Sequence, residues 1–262
     1  MAYLSPALTN IVNAVKKASV AITRDFNELE HLQNSVHGDN MFAVKSHEKV
    51  LNTIREELSK FKPEYAIIAS KADEIPASGN YFLVSPINGF ANFAHGNASF
   101  VISVAMVENG VLTDGVIYSP IYDELFFAEK GSGAFKEGFR NHERLRVAGT
   151  KNAEKALLSC NADLGVLQKA LSLSPNVVVK GSVALELAYM AAGKIDAVIA
   201  TNNSAFGIAA GLLIIKEAGG YVFALGETDV RSEDVNKVLS DGNIVATNEA
   251  LRQKLADTMA KA

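Results

Sequence analysis

The sequence holds one cysteine among its 262 residues, Cys160, set in the apolar run "ALLSC". A lone buried thiol can staple nothing and suits a reducing compartment. No His or Asp partner beside it marks it as a nucleophile. Long apolar runs are missing too, and none approaches the roughly 20 residues that span a bilayer. The opening "MAYLSPALTN" lacks the basic stretch and following apolar stretch of a secretory signal. Charge of one sign is not in excess: 25 basic and 29 acidic side chains leave a formal −4. With no basic stripe, bulk electrostatics give no support to nucleic-acid backbone binding. Internal repeats and low-complexity tracts are absent as well. The expectation is a soluble cytoplasmic protein, with enough apolar residues for one large core or two smaller ones.

What is present falls into two halves. Ser5-Pro6 is a helix start, with Ser as N-cap and Pro where its missing N–H costs nothing. Leu8, Ile11, Val12, Val15, Ala18 and Ile22 then recur at helical spacing. A second helix carries Val50, Leu51, Ile54, Leu58 and Phe61, and Pro63 ends it. The period then shortens. "YAIIA" (65–69) and "YFLVS" (81–85) predict buried strands, and residues 99–135 predict a meander turning at Asn109-Gly110. From "KALLSC" onward, "NVVVK", "DAVIA", "GYVFA" and "NIVAT" alternate with helical stretches at 163–172, 182–193, 205–218 and 248–260. That alternation predicts a layered α/β sheet. The change of pattern near 140–150 places a domain boundary, giving an α+β domain over 1–145 and an α/β domain over 146–262.

Residues 85–93, "SPINGFANF", have the outline of a phosphate site: an apolar strand, a proline, then a polar residue and glycine opening a turn. They contain no carboxylate. If Gly89, Phe90 and Ala91 open a helix, their N–H groups and the helix dipole favour an anion.

Taken together, "FNELEHLQ", Pro63-Glu64-Tyr65, "SPINGFANFAHG", "GVIYSPIYDELFFAEKGSGAF", "GSVALELAYMAAGKIDA" and "GIAAGLLIIKEAGG" resemble the inositol monophosphatase family, nearest its bacterial SuhB-like branch. The resemblance runs from about residue 10 to 255, with the 160–176 region shortened. It implies a layered αβαβα sandwich, a homodimer, and Mg²⁺-dependent hydrolysis of phosphate monoesters, in which metal ions neutralise the phosphate and activate a water.

Carried over position by position, the family's acids are replaced. Its Gly-Glu-Glu corner falls on Ala69-Ser70-Lys71, the two aspartates of its central motif on Ser85 and Asn88, and its Trp-Asp pair on Phe206-Gly207. An upstream acid falls on His47, the water-positioning Thr on Phe90, and a substrate-contacting Glu on Ala200. Ile87, which offers a backbone carbonyl, is kept. So are Pro86, Gly89, Asn92, Phe93, Gly181-Ser182 and Glu186. Because Mg²⁺ asks for carboxylate oxygens, the expectation is a non-catalytic binding or regulatory homologue with no metal and no cofactor. The alternatives are a weak or altered Mg²⁺-dependent phosphomonoesterase acting on inositol 1-phosphate or a related sugar phosphate, and a binding module for such anions.

Lys71 is the candidate cation in place of the lost metal, joining Gly89, Phe90 and Ala91; the competing reading is a solvated loop lysine. Asp73 or Glu74 could swing in as a substitute ligand. His47 is a ligand, a switch or a hydrogen-bonded surface residue, while His31 and His95 belong to the framework. Gly131 to Gly133 is a turn rather than a phosphate loop. Asp123-Glu124 starts a strand rather than binding metal, and Phe126, Phe127 and Phe135 pack in the core or at a subunit contact. The resemblance leaves open a protein partner in the transcription machinery and a phosphate or sugar-phosphate ligand, with neither nucleic acid nor membrane.

Overall fold

The computed structural model describes residues 4–32, 39–76, 78–138, 141–230 and 235–260. Helix α1 (Pro6–Leu32) begins where Leu8 N donates to Ser5 Oγ at 3.2 Å, the expected cap. Its predicted apolar face is buried from Leu8 to Ile22 and continues through Phe26 and Leu29. Helix α2 (Asp39–Phe61) starts earlier than its apolar spacing indicated, and it buries Ala43, Val50, Ile54 and Leu58.

Strands β1 (Ala66–Ile68) and β2 (Tyr81–Asn88) run parallel, and β2 leads into the short helix α3 (Phe90–Ala94). The meander follows as β3 (Val101–Glu108), β4 (Val111–Ser119), β5 (Glu124–Glu129), β6 (Gly133–Lys136) and β7 (Glu143–Arg144). Their spatial order is their chain order. At the β3–β4 turn, Asn109 and Gly110 have φ of 52° and 74°, the positive values a tight hairpin requires.

The second sheet contains β8 (Leu158–Asn161), β9 (Val177–Val178), β10 (Ala197–Ala200), β11 (Tyr221–Ala224) and β12 (Ile244–Thr247), in the order β11-β12-β10-β8-β9. Strand β8 is parallel to β9 and β10, and β12 is antiparallel to β10 and β11. Between these strands come α4 (Leu164–Leu173), α5 (Val183–Ala191), α6 (Ala205–Glu217), α7 (Val235–Asp241) and α8 (Glu249–Ala260). The two-residue β7 and the seven-residue α7 are too short for periodicity to reveal.

The layers follow from alternation. On β10, Val198 and Ala200 face a core shared with α5, α6 and the first sheet, while Ala197 and Ile199 face a core shared with α4 and α8. The first sheet's other face packs on α1 and α2. The result is the expected five-layer αβαβα sandwich. No helix of the described residues is long and apolar enough to cross a membrane.

Candidate active-site cleft

In a sheet flanked by helices, ligands sit beyond the carboxyl ends of strands. Here the ends of β2, β8 and β10 meet the starts of α3, α5 and α6. Asn88, the last residue of β2, joins them. Its Oδ1 accepts from Ser182 Oγ at 3.0 Å and from Ala184 N at 3.1 Å, both at the start of α5. Its Nδ2 donates to Gly207 O at 3.1 Å, in the first turn of α6. A carboxylate could do the first of these and not the second, so the amide is what this arrangement requires. A Cβ at Gly207 would lie 3.3 Å from Asn88 Nδ2 and 3.1 Å from Ser204 Oγ, so a side chain there competes with the amide for space.

Two further replaced positions also meet. The His47 ring stands edge-on to the Phe90 ring, with centroids 6.2 Å apart and planes at 76°. Burial lowers the His47 pKa, with Glu48 pulling the other way. His47 is therefore a packing partner of Phe90, and its burial favours the neutral ring.

Beyond β1 the chain turns on itself. Ala69 N and Ser70 N donate to Asp73 Oδ2 at 2.8 and 2.9 Å, and Asp73 N returns a bond to Ser70 O. Those two N–H groups hold the Asp73 carboxyl below its ordinary range. Asp73 therefore caps its own turn and does not swing into the cleft. Glu74 and Lys71 are exposed. The β1–β2 register pairs Ile68 with Leu83, which sets Ser70 and the buried Ser85 at the same end of the sheet. Lys71 is thus near the cleft's level in the fold, but none of the described residues bonds its side chain there.

The far wall joins the retained Gly181 and Glu186 through Asn161, which no sequence motif marked. Asn161 closes β8 directly beside Ala200 in the parallel register. Its Oδ1 accepts from Gly181 N at 3.1 Å, and its Nδ2 donates to Glu186 Oε2. Glu186 Oε1 accepts from Lys180 N at 3.0 Å. Glu186 is wholly buried, and burial pushes its carboxyl up to about 7 against the hydrogen bonds from Ser159, Lys180 N and Asn161. An asparagine ending a strand of the layered half was the available signal. Ala200 is itself fully buried and presents no polar group to the cleft.

The remaining candidates divide cleanly. The N–H groups of Gly131 and Gly133 donate to the Glu217 carboxylate at 2.8 and 2.9 Å, so this segment is a capped turn. Glu124 opens β5 and binds Lys136, Lys194 and Tyr189. Phe126 and Phe127 are core residues, and Phe135 stacks on Phe127 at 5.8 Å. Burial raises the Cys160 thiol to about 11, which leaves it unreactive. His95 caps α3. The His31 side chain lies outside the described residues.

The cofactor that such a fold implies can be tested against these donors. Ser70, Ser85, Asn88 and Gly207 contribute hydroxyls, an amide and no side chain, and the Asn88 amide is already engaged on both sides. Among the described residues no group of three or more His, Cys, Asp or Glu is gathered for a metal. These residues do not fit a magnesium cage, and no reaction step is assigned to the ion.

The comparisons with known proteins cover almost the whole chain. The description "Inositol monophosphatase family" matches residues 4–262. An Inositol-1-monophosphatase of Mesorhizobium japonicum is 35% identical over 97% of both chains. A Nus factor SuhB of Xylella fastidiosa is 32% identical over 83% of this chain and 81% of its own. The crystal structure of extragenic suppressor protein suhB from Bartonella henselae has a TM-score of 0.84 and 31% identity, covering 98% of this chain and all of that one.

These findings correct two expectations. The reading of a non-catalytic homologue is overturned by near full-length likeness to chains named as inositol-1-monophosphatases, and the reading that no cofactor is needed falls with it, because the family's members work with Mg²⁺. The likeness carries the correction, not the four replaced positions, which do not themselves cage the ion. A residue-by-residue count of carboxylates also does not register that Asn88 joins the starts of α5 and α6 through neutral hydrogen bonds to Ser182, Ala184 and Gly207.

Proposed function

Because the chain belongs to the inositol monophosphatase family, we propose that it is an altered phosphomonoesterase acting on inositol 1-phosphate or a related sugar phosphate. The observation that carries this reading is the 35% identity over nearly the full length to the Mesorhizobium japonicum enzyme. The cleft supports it. Helix starts carry unpaired N–H groups and partial positive charge, and three of them converge on Asn88. In this reading the phosphate faces the N–H groups of Gly89, Phe90 and Ala91, Lys71 is the nearby cation at the same end of the sheet, and the Gly181-Ser182 turn borders the alcohol side.

The direct test is release of inorganic phosphate from inositol 1-phosphate, assayed with Mg²⁺. Turnover above the protein-free blank is expected, and Asn88→Ala should cut it at least tenfold, since three hydrogen bonds between helix starts are lost at about 1 kcal/mol each. No release under any Mg²⁺ concentration would end this reading. Phosphate titration followed by ³¹P NMR reports on Lys71 separately. Lys71→Ala should weaken the shift, and identical shifts in both proteins would remove Lys71 from the site.

The second reading, favoured by the relatives named Nus factor SuhB, adds a protein partner in transcription without excluding hydrolysis. A homodimer comes first. Leu164 and Leu171 lie seven residues apart on one face of α4 and are 69% and 49% exposed, with Val179 at 64%. Light scattering should give twice the 27.9 kDa chain mass, and Leu164→Asp with Leu171→Asp should shift it toward one chain. A wild-type mass of a single chain would exclude the dimer.

A further inference from the structure

We propose that Glu186 is a positioning residue whose ionised carboxylate, acting through Asn161, sets the Lys180–Ser182 turn against Asn88 for the incoming phosphomonoester. This rests on the phosphomonoesterase reading and adds to it the group that fixes one wall of the site.

The geometry is a closed set of donors and acceptors. Glu186 is fully buried in the first turn of α5. Lys180 N and Asn161 Nδ2 both donate to its carboxylate, and Asn161 Oδ1 accepts from Gly181 N. On the other side of the same turn, Asn92 Nδ2 donates to Lys180 O and to Ser99 O, each at 2.7 Å. The turn is thereby clamped between α3 and α5. It ends on Ser182, whose hydroxyl donates to Asn88. An error in the turn is passed straight to Asn88 and the helix starts it joins.

Only an acceptor at both oxygens completes this set. The amide of a Glu186→Gln variant puts a donor where one carboxylate oxygen accepted. Turned toward Lys180 N, that donor meets another donor. Turned toward Asn161, it forces the Asn161 amide to flip, and the flipped NH₂ then faces Gly181 N–H. In the Gln variant one buried N–H loses its acceptor. In the protonated acid the proton can go to Ser159 Oγ, but the bonds from Lys180 N and Asn161 Nδ2 lose their charge assistance, and in both the turn relaxes. The charged and titratable groups that act with Glu186 are Lys180 on the turn and Cys160 on β8. Lys180 favours the ionised form. The carboxyl, held near 7 chiefly by burial, places this change near neutral pH.

The experiment uses the full chain, the variants Glu186→Gln and Glu186→Asp, and two readouts. In the wild type, the Gly181 amide resonance should shift between pH 5.5 and 8.5 with a midpoint near 7. It should stop titrating in Glu186→Gln and titrate again in Glu186→Asp. In phosphate release from inositol 1-phosphate, Glu186→Gln should raise KM about tenfold and lose the acid limb of the pH profile, with kcat changing less, and Glu186→Asp should recover part of both. A Gly181 resonance that does not move with pH in the wild type would overturn the proposal, as would an unchanged KM and pH profile in Glu186→Gln. A purely structural role would lower the melting temperature and leave the profile in place. If the wild type releases no phosphate, the hydrolysis reading fails by itself, and the Gly181 titration still decides whether Glu186 sets the turn. If Glu186→Gln does not fold, the wild-type titration alone decides it.

Discussion

Replacing Gly89 with alanine is expected to destabilise the protein by about 2–5 kcal/mol and to abolish phosphate release. Gly89 sits at φ 92°, and a Cβ there would stand 2.7 Å from Ser99 O and 3.0 Å from Ser182 Cβ. The left-handed backbone contributes about 1–2 kcal/mol of strain for a residue with a Cβ. The collision adds about 1–3 kcal/mol, because its nearest atom is a backbone carbonyl that cannot rotate away. At about 2–4 °C per kcal/mol for a chain of this size, the melting temperature should fall by roughly 4–20 °C. The Ser99 carbonyl also accepts from Asn92, so pushing it aside disturbs the clamp on the Lys180–Ser182 turn. Gly219→Ala separates the two causes: Gly219 has φ 82°, and a Cβ there would meet no atom within 4 Å. It should lose only the strain, about 1–2 kcal/mol. A Gly89→Ala protein that melts within a degree of the wild type and still turns over substrate would show that the meeting of helix starts does not matter.

The fold was legible where one physical rule acted alone. The Ser5-Pro6 start, the apolar face of α1, and the Asn109-Gly110 hairpin are local signals, and the structure contains each of them. The strand-helix alternation after residue 155 gave the layered second sheet. What stayed hidden depended on partners far away in the chain. Strand β7 has two residues and exists because Phe135 and Lys136 offer it an edge. Helix α2 extends back to Asp39 because its first turns pack along α1, where Ser46 and Lys49 bond the buried Asp25.

The site was legible as positions and not as interactions. Reading Ser85, Asn88, Phe90, His47 and Gly207 as losses followed from comparing them one by one with acids. Sequence could not show that His47 and Phe90 replace their counterparts as a pair of rings, or that Asn88 bonds both α5 and α6. It could not show that Asp73 is spent on its own turn. These are long-range facts, with up to 119 residues between bonded partners, and no local pattern encodes them. Asn161 was missed for the same reason, since its role exists only once β8 lies beside β10.

Stability is expected to be greatest near pH 4 and to fall by several kcal/mol as the pH rises to 7.5. Two buried carboxyls set this direction. Burial pushes Glu186 up to about 7 and Asp114 up to about 6, the latter against a hydrogen bond from Thr113 and with the charges of Glu129 and Glu108 adding to the rise. Both raised values lie above those of the unfolded chain, about 4 for such carboxyls. Between the two, the native state keeps protons that the unfolded state releases, so the stability these groups contribute is present in acid and lost as the pH passes their folded pKa. A pKa raised by one corresponds to about 1.4 kcal/mol, so Glu186 contributes up to about 4 kcal/mol and Asp114 up to about 3 kcal/mol. Asp25 and Glu124 act in the opposite sense. Hydrogen bonds and nearby lysines outweigh their burial and hold both below the ordinary range, so their contribution is lost as the pH falls below about 4. The two slopes meet near pH 4. Asp114 bears one oxygen with no hydrogen-bond partner, and Asp114→Asn should therefore remove its share of the neutral-side slope at little cost at pH 5. Glu186→Gln should flatten the slope further but lower stability at every pH, because its hydrogen-bonded set cannot be rebuilt with an amide. Urea unfolding of the three proteins at pH 4.5, 5.5, 6.5 and 7.5 measures the neutral-side slope. A wild-type stability that is constant or rises from pH 5 to 7.5 would mean that neither carboxyl is held protonated by burial, and that the Glu186 carboxylate is already ionised at the acid end of the range.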